Sequence, residues 1–217
     1  MTPDFSVALA PALVGAAAAA TAAGLVAAIR PASRSLGLVA DALCLLATVG
    51  ALAGWVIRWV AAGHLPLFGT YESSWSLAVA VTASGLLARW RSPSGRSVWA
   101  VTAAVTAALV AHGRAFDPAA YPLTISERSL FVDLHAVLAW AAFGCLAANA
   151  GFALVCLARR REQAAGEGGG ALAFTLSLGF VLHTGMLASG SFYKFLLFGT
   201  AWSFDPIETL ALVAWAA

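Results

Sequence analysis

Charged residues are scarce in this chain. They make up 10% of its 217 residues, against roughly 25% in a typical soluble domain. A single lysine stands against eleven arginines. No basic stripe and no lysine cluster occurs, so nucleic acid is not an expected partner.

Cysteine is rare as well. Cys44, Cys145 and Cys156 all lie inside apolar runs, where a cysteine is typically a small apolar filler between helices. They form no CxxC pair. The absence of a CxxCH motif excludes covalent attachment of c-type haem to this chain.

Long apolar runs fill most of the sequence, which is 61% hydrophobic. Several exceed the roughly 18 residues that a membrane-crossing helix needs. In a bilayer only helices and closed barrels satisfy every backbone group, and these alanine-rich runs lack the alternation of barrel strands. We therefore predict an all-α, polytopic transmembrane helix bundle, with about six full spans plus the start of a seventh. The spans are expected at 6–29, 36–62, 73–89, 97–113, 130–157 and 171–190, and from Pro206 onward.

The first apolar run is expected to be retained. The opening sequence "MTPDFSVALAPALVGAAAAATAAGLVAAIR" has an acidic start, no basic segment before its apolar core, and a basic far end. A secretory signal peptide has the reverse arrangement. Residues 1–217 are accordingly predicted to form a single membrane domain.

The cations divide unequally between the connecting segments. One set is Arg30, Arg34, Arg89, Arg91, Arg96, Arg159, Arg160 and Arg161, and the other is Arg58, Arg114, Arg128 and Lys194. The positive-inside rule makes the first set cytoplasmic, with the N-terminus outside, in a multi-pass membrane protein. The outer connections are then 63–72, 114–129 and 191–205. The segment 159–170 is predicted to be a flexible cytoplasmic linker.

Four histidines fall at or near the outer surface in this topology: His64, His112, His135 and His183. An ionisable residue inside a membrane is a candidate functional residue. A neutral imidazole can ligate haem iron, and it can equally donate a hydrogen bond to a neighbouring helix. For His64 and His112, a hydrated helix end is the simpler interpretation.

The segment "FGTAWSFDPIETLALVAW", residues 198–215, combines two features. Asp205, Pro206 and Glu208 form a capping box with proline at the first helical position, which starts the seventh helix. Six aromatic residues precede it, more than an interfacial belt requires, and they suggest a platform for a large flat ligand. They are Phe192, Tyr193, Phe195, Phe198, Trp202 and Phe204.

This segment resembles the tryptophan-rich signature of the haem-handling proteins of cytochrome c biogenesis, CcsA, CcmC and CcmF. The matching residues are Gly199, Trp202, Asp205, Pro206, Glu208, Thr209, Leu212 and Trp215. Phe198, Phe204 and Leu210 stand where the family usually has tryptophan. The resemblance covers about residues 50–215, and Tyr71, Glu72 and Ser73 match a segment that favours the CcsA type.

The resemblance implies that haem b is held at the extracytoplasmic face and presented to the CxxCH thiols of an apocytochrome c. His135, 67 residues before Trp202, takes the position of an axial ligand to the haem iron. The implied haem-binding residues are His135, Trp202, Phe204, Asp205, Glu208, Gly199, Phe198, Trp215, Tyr71 and Glu72. Arg58 or Arg128 could pair with propionates or anchor a span end.

The implied partners are a CcsB-like membrane subunit, a thiol reductase, the apocytochrome and the lipid bilayer. The resemblance leaves open whether the chain is a haem lyase component or transports haem. Members of the family continue through further spans that supply a second axial histidine, so we expect this chain to be C-terminally incomplete or completed by a partner. His183 or His64 would be the substitute second ligand.

Two other functions remain open from the sequence. A b-type haem or quinone-binding electron-transfer subunit would use two histidines facing each other within the membrane, and His135 and His183 are the candidates. A small-solute transporter would need paired polar groups inside the spans, where Asp41 is the clear deep acid.

Overall fold

The computed structural model describes residues 5–29, 33–92, 95–158 and 164–216. Within these ranges the chain is all-helical, without strands. The helices are α1 Phe5–Ile29, α2 Arg34–Ala62, α3 Thr70–Arg91, α4 Gly95–Gly113, α5 Leu130–Ala158, α6 Ala164–Phe198 and α7 Pro206–Ala216. The predicted bounds of the first five spans agree with α1 to α5 within three residues.

Four helices are long and apolar enough to cross a membrane. The apolar stretches are Phe5–Ala27 in α1, Arg34–Ala62 in α2, Leu130–Val155 in α5 and Gly170–Phe198 in α6. The chain is a membrane protein on this ground, with helices that suit hydrocarbon because their backbone groups are paired internally. Among the described residues four helices therefore meet this criterion of length and apolar composition. α3 and α4 do not meet it.

α3 is less apolar than its neighbours because it lies inside the bundle. It packs against α4, α5 and α2, and its buried residues include Glu72, Ser74, Ser76, Thr82 and Ser84. A helix surrounded by protein does not need an apolar surface all round, since its polar groups meet partners on other helices. Thr82, for example, shares a hydrogen bond of 2.9 Å with Thr48 of α2.

The sixth predicted span is the one whose bounds were wrong at both ends. α6 runs from Ala164 to Phe198 instead of 171–190. The glycine-rich segment 164–170, predicted to be a flexible linker, is helical, while residues 159–163 lie outside the described residues. The predicted outer connection 191–205 shortens to 199–205, because residues 191–198 continue the helix.

The deep acid Asp41 holds three helices together at one end of the bundle. Its two carboxylate oxygens accept hydrogen bonds from Arg89 of α3 at 3.0 and 3.2 Å, and from Arg96 of α4 at 2.9 Å each. Bidentate guanidinium–carboxylate pairs are strong and geometrically specific. Asp41 therefore pairs with two arginines from neighbouring helices and has a structural role.

Candidate functional site

His135 lies in the second turn of α5 and faces α6. Its Nδ1 is 2.8 Å from the backbone carbonyl oxygen of Met186. Because a carbonyl only accepts, Nδ1 must carry a proton, so Nε2 is the nitrogen that is unprotonated when the ring is neutral. Within the described part of the chain Nε2 makes no hydrogen bond. This is the state in which an imidazole binds a metal through Nε2, with the other nitrogen fixed by a second group.

The imidazole fits against α6 because residue 190 is glycine. A Cβ at Gly190 would lie 2.8 Å from both Cε1 and Nδ1 of His135, closer than such atoms pack. Gly190 and the Met186 carbonyl together fix the ring plane. The edge of the ring that carries Nδ1 is therefore held by α6.

His135 shares a cavity of about 230 Å³ with the start of α7. The cavity is lined by His135, Met186, Leu187, Gly190, Ser191, Ala201, Trp202, Ile207, Glu208 and Ala211. Apart from His135, Ser191 and Glu208 it is formed by apolar and aromatic groups and glycine. Trp202 has a buried Nε1 that lacks a hydrogen-bond partner among the described residues. An imidazole in a largely apolar cavity is a donor arrangement that haem iron accepts.

The start of α7 forms as the sequence predicted. Asp205 Oδ1 accepts hydrogen bonds of 2.9 Å from the backbone N–H groups of Ile207 and Glu208, so Asp205 is the cap. These N–H groups, that of Glu208 foremost, and the Lys194 ammonium hold the pKa of Asp205 below its usual value. Glu208 differs from an ideal capping box, because its Oε2 accepts from the N–H of Ser203, at 2.8 Å, rather than from that of the cap.

Lys194 connects α6 to the segment that follows it. Its ammonium group donates to Glu208 and to Ser203, and it lies 3.4 Å from Oδ2 of Asp205. The connection 199–205 begins at Gly199 (φ 71°) and contains Phe204 in the left-handed region (φ 58°). A non-glycine residue in that region costs about 1–3 kcal/mol. Contacts on either side of Phe204 must therefore hold it there.

The aromatic residues before α7 do not form one platform. Phe192, Tyr193, Phe195 and Phe198 belong to the last two turns of α6, which corrects their predicted place in a loop. Phe198 is 70% exposed and Phe204 76% exposed, and neither lines the His135 cavity. Among the described aromatic side chains, Trp202 alone lines it.

The contacts of Trp215 and Gly199 are structural: Trp215 packs against α6, and Gly199 ends that helix. Trp215 stacks on Phe180 with ring centroids 5.5 Å apart, and its Nε1 donates to Thr184 Oγ1 at 2.9 Å, which docks the far end of α7 on α6. Gly199 ends α6, where its N–H donates to the carbonyl of Phe195. The left-handed backbone at this position explains the glycine.

Tyr71 and Glu72 belong to a second buried cluster, apart from the His135 cavity. Glu72 is 1% exposed and Arg58 3% exposed at their side chains, with Arg58 Nη2 2.8 Å from Glu72 Oε1. Arg58 also donates to the carbonyl of Pro118 at 2.6 Å and lies over the Tyr71 ring. Arg58 is therefore committed to protein groups, so the prediction that it could pair with a propionate has no support here.

His64 and His183 lie elsewhere. Both ring nitrogens of His64 face carbonyl oxygens, Nδ1 that of Leu65 at 2.9 Å and Nε2 that of Tyr121 at 3.1 Å. His64 does not line the cavity that contains His135. His183 on α6 is 9% exposed, and its buried Nε2 has no hydrogen-bond partner within the described ranges. It does not line the cavity that contains His135.

The sequence interpretation missed three contributors to the cavity and its surroundings: the Met186 carbonyl, Gly190 and Lys194. A backbone carbonyl leaves no signal in a side-chain pattern. Gly190 was one glycine among twenty. Lys194 could have been singled out, because it is the single lysine of the chain. The sequence interpretation uses it only as one of the cations of the outer connections.

Together these features define an all-helical membrane protein with an imidazole held in a cavity between two helices and a tryptophan-bearing connection. No family model matches the chain. It is 27% identical over 200 residues to the cytochrome c biogenesis protein CcsA of Synechococcus sp. strain CC9605. This match covers 74% of this chain and 65% of that protein. Against the CcsA of Synechococcus elongatus it is 27% identical over 243 residues, covering 85% and 73%.

A CcsA of Prochlorococcus marinus strain MIT 9303 matches at the same identity, 27% over 219 residues, and covers 82% of this chain and 69% of the relative. The chain thus resembles CcsA-type cytochrome c biogenesis proteins, and the resemblance drawn from its motifs is confirmed. It spans about two thirds of the length of these relatives.

Proposed function

We propose that this chain takes part in cytochrome c maturation and binds haem through His135 at the extracytoplasmic face. One observation carries the proposal: the Nδ1–H of His135 is fixed by the Met186 carbonyl, Nε2 makes no hydrogen bond within the described residues, and His135 lines the same cavity as Trp202. Neutral imidazole is a good axial ligand to haem iron. The names of the relatives support the same process.

In this proposal each residue of the cavity has a stated role. His135 ligates the iron of haem b, the substrate, and Gly190 sets the ring plane. Trp202 lies against the porphyrin, and Glu208 and Asp205 maintain the connection that carries it. Haem brings vinyl groups, and each apocytochrome CxxCH thiol adds across one of them, the sulfur and the proton going to its two carbons. The part of this chain is to position the porphyrin and exclude water.

The proposed topology has six full spans in one membrane domain of the cell membrane, with the N-terminus outside. At 1.5 Å per residue α3 and α4 are roughly 33 and 28 Å long, close to the roughly 30 Å of a hydrocarbon core. Arg89 and Arg91 end α3 and Arg96 begins α4, which supports a cytoplasmic α3–α4 connection. The N-terminus of α1 and the His135 cavity are then on the opposite side.

The proposed partners are a CcsB-like membrane subunit, a thiol reductase and apocytochrome c. Thioether formation requires reduced thiols and reduced haem iron, so a reductant for each must be supplied. Whether the assembled unit acts as a haem lyase or a haem carrier is decided by the first test.

The first test adds ferrous haem to the purified protein in detergent. We expect one haem per chain with the absorption spectrum of a histidine-ligated porphyrin, and about tenfold weaker binding for Trp202→Ala, since contacts between aromatic rings are worth about 0.5–1.5 kcal/mol beyond their buried area. Reconstitution with a CxxCH peptide then distinguishes attachment from transport. Failure of the wild-type protein to bind haem would count against the proposal.

A second variant tests the geometry of the ring. In Gly190→Ala the new methyl group would lie 2.8 Å from the imidazole, so the ring must turn and its bond to Met186 must lengthen. Loss of such an orienting contact typically costs 10–100-fold in metal affinity, and we expect haem affinity to fall about tenfold. The measurement is a haem titration followed by absorbance.

Gly185→Ala is the matched control for that variant. It lies on the same helix, and its added Cβ would meet only the flexible Leu138 side chain at 3.3 Å. We expect wild-type haem affinity. Equal affinities for Gly190→Ala and Gly185→Ala would show that the contact between α6 and His135 does not matter for binding.

A b-type haem or quinone-binding electron-transfer subunit is the second candidate, and His183 is the observation that favours it. Its buried Nε2, without a partner among the described residues, lies seven residues before Gly190, on the same face of α6 and roughly 10 Å further along it. This function predicts stable haem with reversible quinone-linked reduction that is lost in His183→Ala and unaffected by Trp202→Ala. The first candidate predicts the reverse dependence.

A further inference from the structure

The single lysine of the chain lies where α6 meets the start of α7. Lys194 belongs to the last turns of α6 and is 21% exposed at its side chain. A lysine near a span end ordinarily extends its ammonium group towards water. Here that group instead contacts Ser203, Asp205 and Glu208.

We propose that Lys194 is a positioning residue that holds the connection 199–205 and the first turn of α7 as the roof of the His135 cavity. The consequence for haem rests on the proposed function of this cavity. The structural part of the proposal does not, because it concerns the roof of the cavity in the protein alone. Nothing in the tryptophan-rich motif itself assigns a role to this position.

The first argument is that α7 has few other attachments. None of its residues is buried, and it packs chiefly on α6. Its far end is held by Trp215 against Phe180 and Thr184. At its near end, within the described residues, Glu208 accepts hydrogen bonds from Ser203 of the connection and from Lys194, which is its partner on another helix.

The second argument concerns charge. Asp205 and Glu208 are two carboxylates on one short segment, and one ammonium lies between them. Two carboxylates without a cation repel each other and favour an open arrangement in which water solvates each. Glu208 lines the cavity and is 17% exposed at its side chain. Removing the ammonium therefore acts directly on a wall of the cavity.

The third argument is that the same network spans the strained residue. Phe204 has φ 58° and is 76% exposed, and its ring contact is with Trp202 of the same connection, with centroids 6.4 Å apart, so its ring does not tie it to a helix. Ser203 and Asp205, on either side, both contact Lys194. The ammonium group thus ties down the two residues that flank the strained position and with them the neighbouring Trp202.

Because the chain has one lysine, amine chemistry reports on this contact directly. The purified protein is treated with an amine-reactive ester, and the Lys194 peptide is followed by mass spectrometry, separately from the N-terminal amine. We expect acylation of Lys194 to be about fivefold to tenfold faster in Glu208→Gln than in the wild type. An equal rate in both would overturn the assignment of Glu208 as a partner of Lys194.

Hydrogen exchange in the haem-free protein tests the roof itself. Lys194→Met keeps the apolar stem and removes the charge, and we expect amide exchange across 199–208 to be about tenfold faster, while Lys194→Arg stays within about twofold of the wild type. Unchanged exchange in Lys194→Met would overturn the proposal. So would equally fast exchange throughout α5 and α6, since that result means general unfolding.

Haem titration of the same variants tests the consequence for binding. We expect about tenfold weaker binding for Lys194→Met, rescue by Lys194→Arg, and the same absorption maximum in all three because His135 remains the ligand. Wild-type affinity in Lys194→Met would overturn the positioning role. If the wild-type protein binds no haem, the proposed function fails, and the exchange experiment still decides the role of Lys194.

Discussion

Replacing His135 with glycine is expected to abolish haem retention, and adding free imidazole is expected to restore it. The imidazole of His135 has one nitrogen fixed by the Met186 carbonyl at 2.8 Å, which leaves the other for iron. No other described histidine lines the cavity, so we expect the affinity to fall by about 100-fold or more. A free imidazole can enter the space left by the side chain and coordinate the iron in its place.

The measurement is a titration of ferrous and ferric haem against the purified variant, with and without imidazole. His64→Gly is the control, because His64 lies outside the cavity with its two ring nitrogens 2.9 and 3.1 Å from carbonyl oxygens, and we expect it to retain haem with an unchanged spectrum. Retention of wild-type haem binding by His135→Gly would remove the basis of the proposed site. Loss of haem in His64→Gly alone would move the ligand to the α2–α3 end of the bundle.

The second large effect is expected from Arg58→Met, which leaves the Glu72 carboxylate buried without its cation. Both side chains are 3% exposed or less. Breaking a buried ion pair by removing one partner costs about 3–5 kcal/mol, because an uncompensated charge remains. Arg58 also contacts Pro118 and Tyr71, so the 114–129 connection should loosen with it. We expect the free energy of unfolding in detergent to fall by about that amount.

Chemical unfolding followed by tryptophan fluorescence measures this loss. In the double variant Arg58→Met with Glu72→Leu the buried charge is gone, and we expect most of the lost stability to return. Arg114→Met, at an exposed position, is the matched control and should change stability by less than about 0.5 kcal/mol. If the double variant is no more stable than Arg58→Met, the loss comes from packing and not from the unpaired carboxylate.

The helix bounds could be predicted from the sequence because they depend on local signals. Gly63, in the left-handed region with its N–H bonded to the carbonyl of Trp59, ends α2, and Asp205 with Pro206 starts α7. α6 is the exception. Its first residues are glycine-rich and its last turns contain Lys194 among aromatic residues, so composition indicated loops where the chain is helical. The length of α6 reflects its packing along α5.

The meeting of His135 and Trp202 in one cavity depends on how α5 and α6 are rotated against each other. No local sequence pattern specifies that rotation. The separation of His135 and Trp202 along the chain matches the family pattern, but it does not predict how far apart the two side chains lie in space. Their meeting in one cavity follows from the α5–α6 contact at Gly190 and from the short 199–205 connection. Tyr71 and Glu72 matched the same family yet lie in the Arg58 cluster, because α3 presents them to α2 and not to α5.

The buried polar character of α3 also bears on how the protein reaches its membrane. A helix that carries Glu72 in its first turn and several hydroxyl groups would partition poorly into lipid by itself, since charged and polar groups disfavour insertion of a span. Arg58 near the end of α2 has the same difficulty. If α2 and α3 leave the insertion machinery together as a hairpin, the Arg58 guanidinium and the Glu72 carboxylate can pair before they enter the lipid. Neither charge is then exposed to hydrocarbon without its partner. The order of synthesis, α2 directly before α3, favours that route.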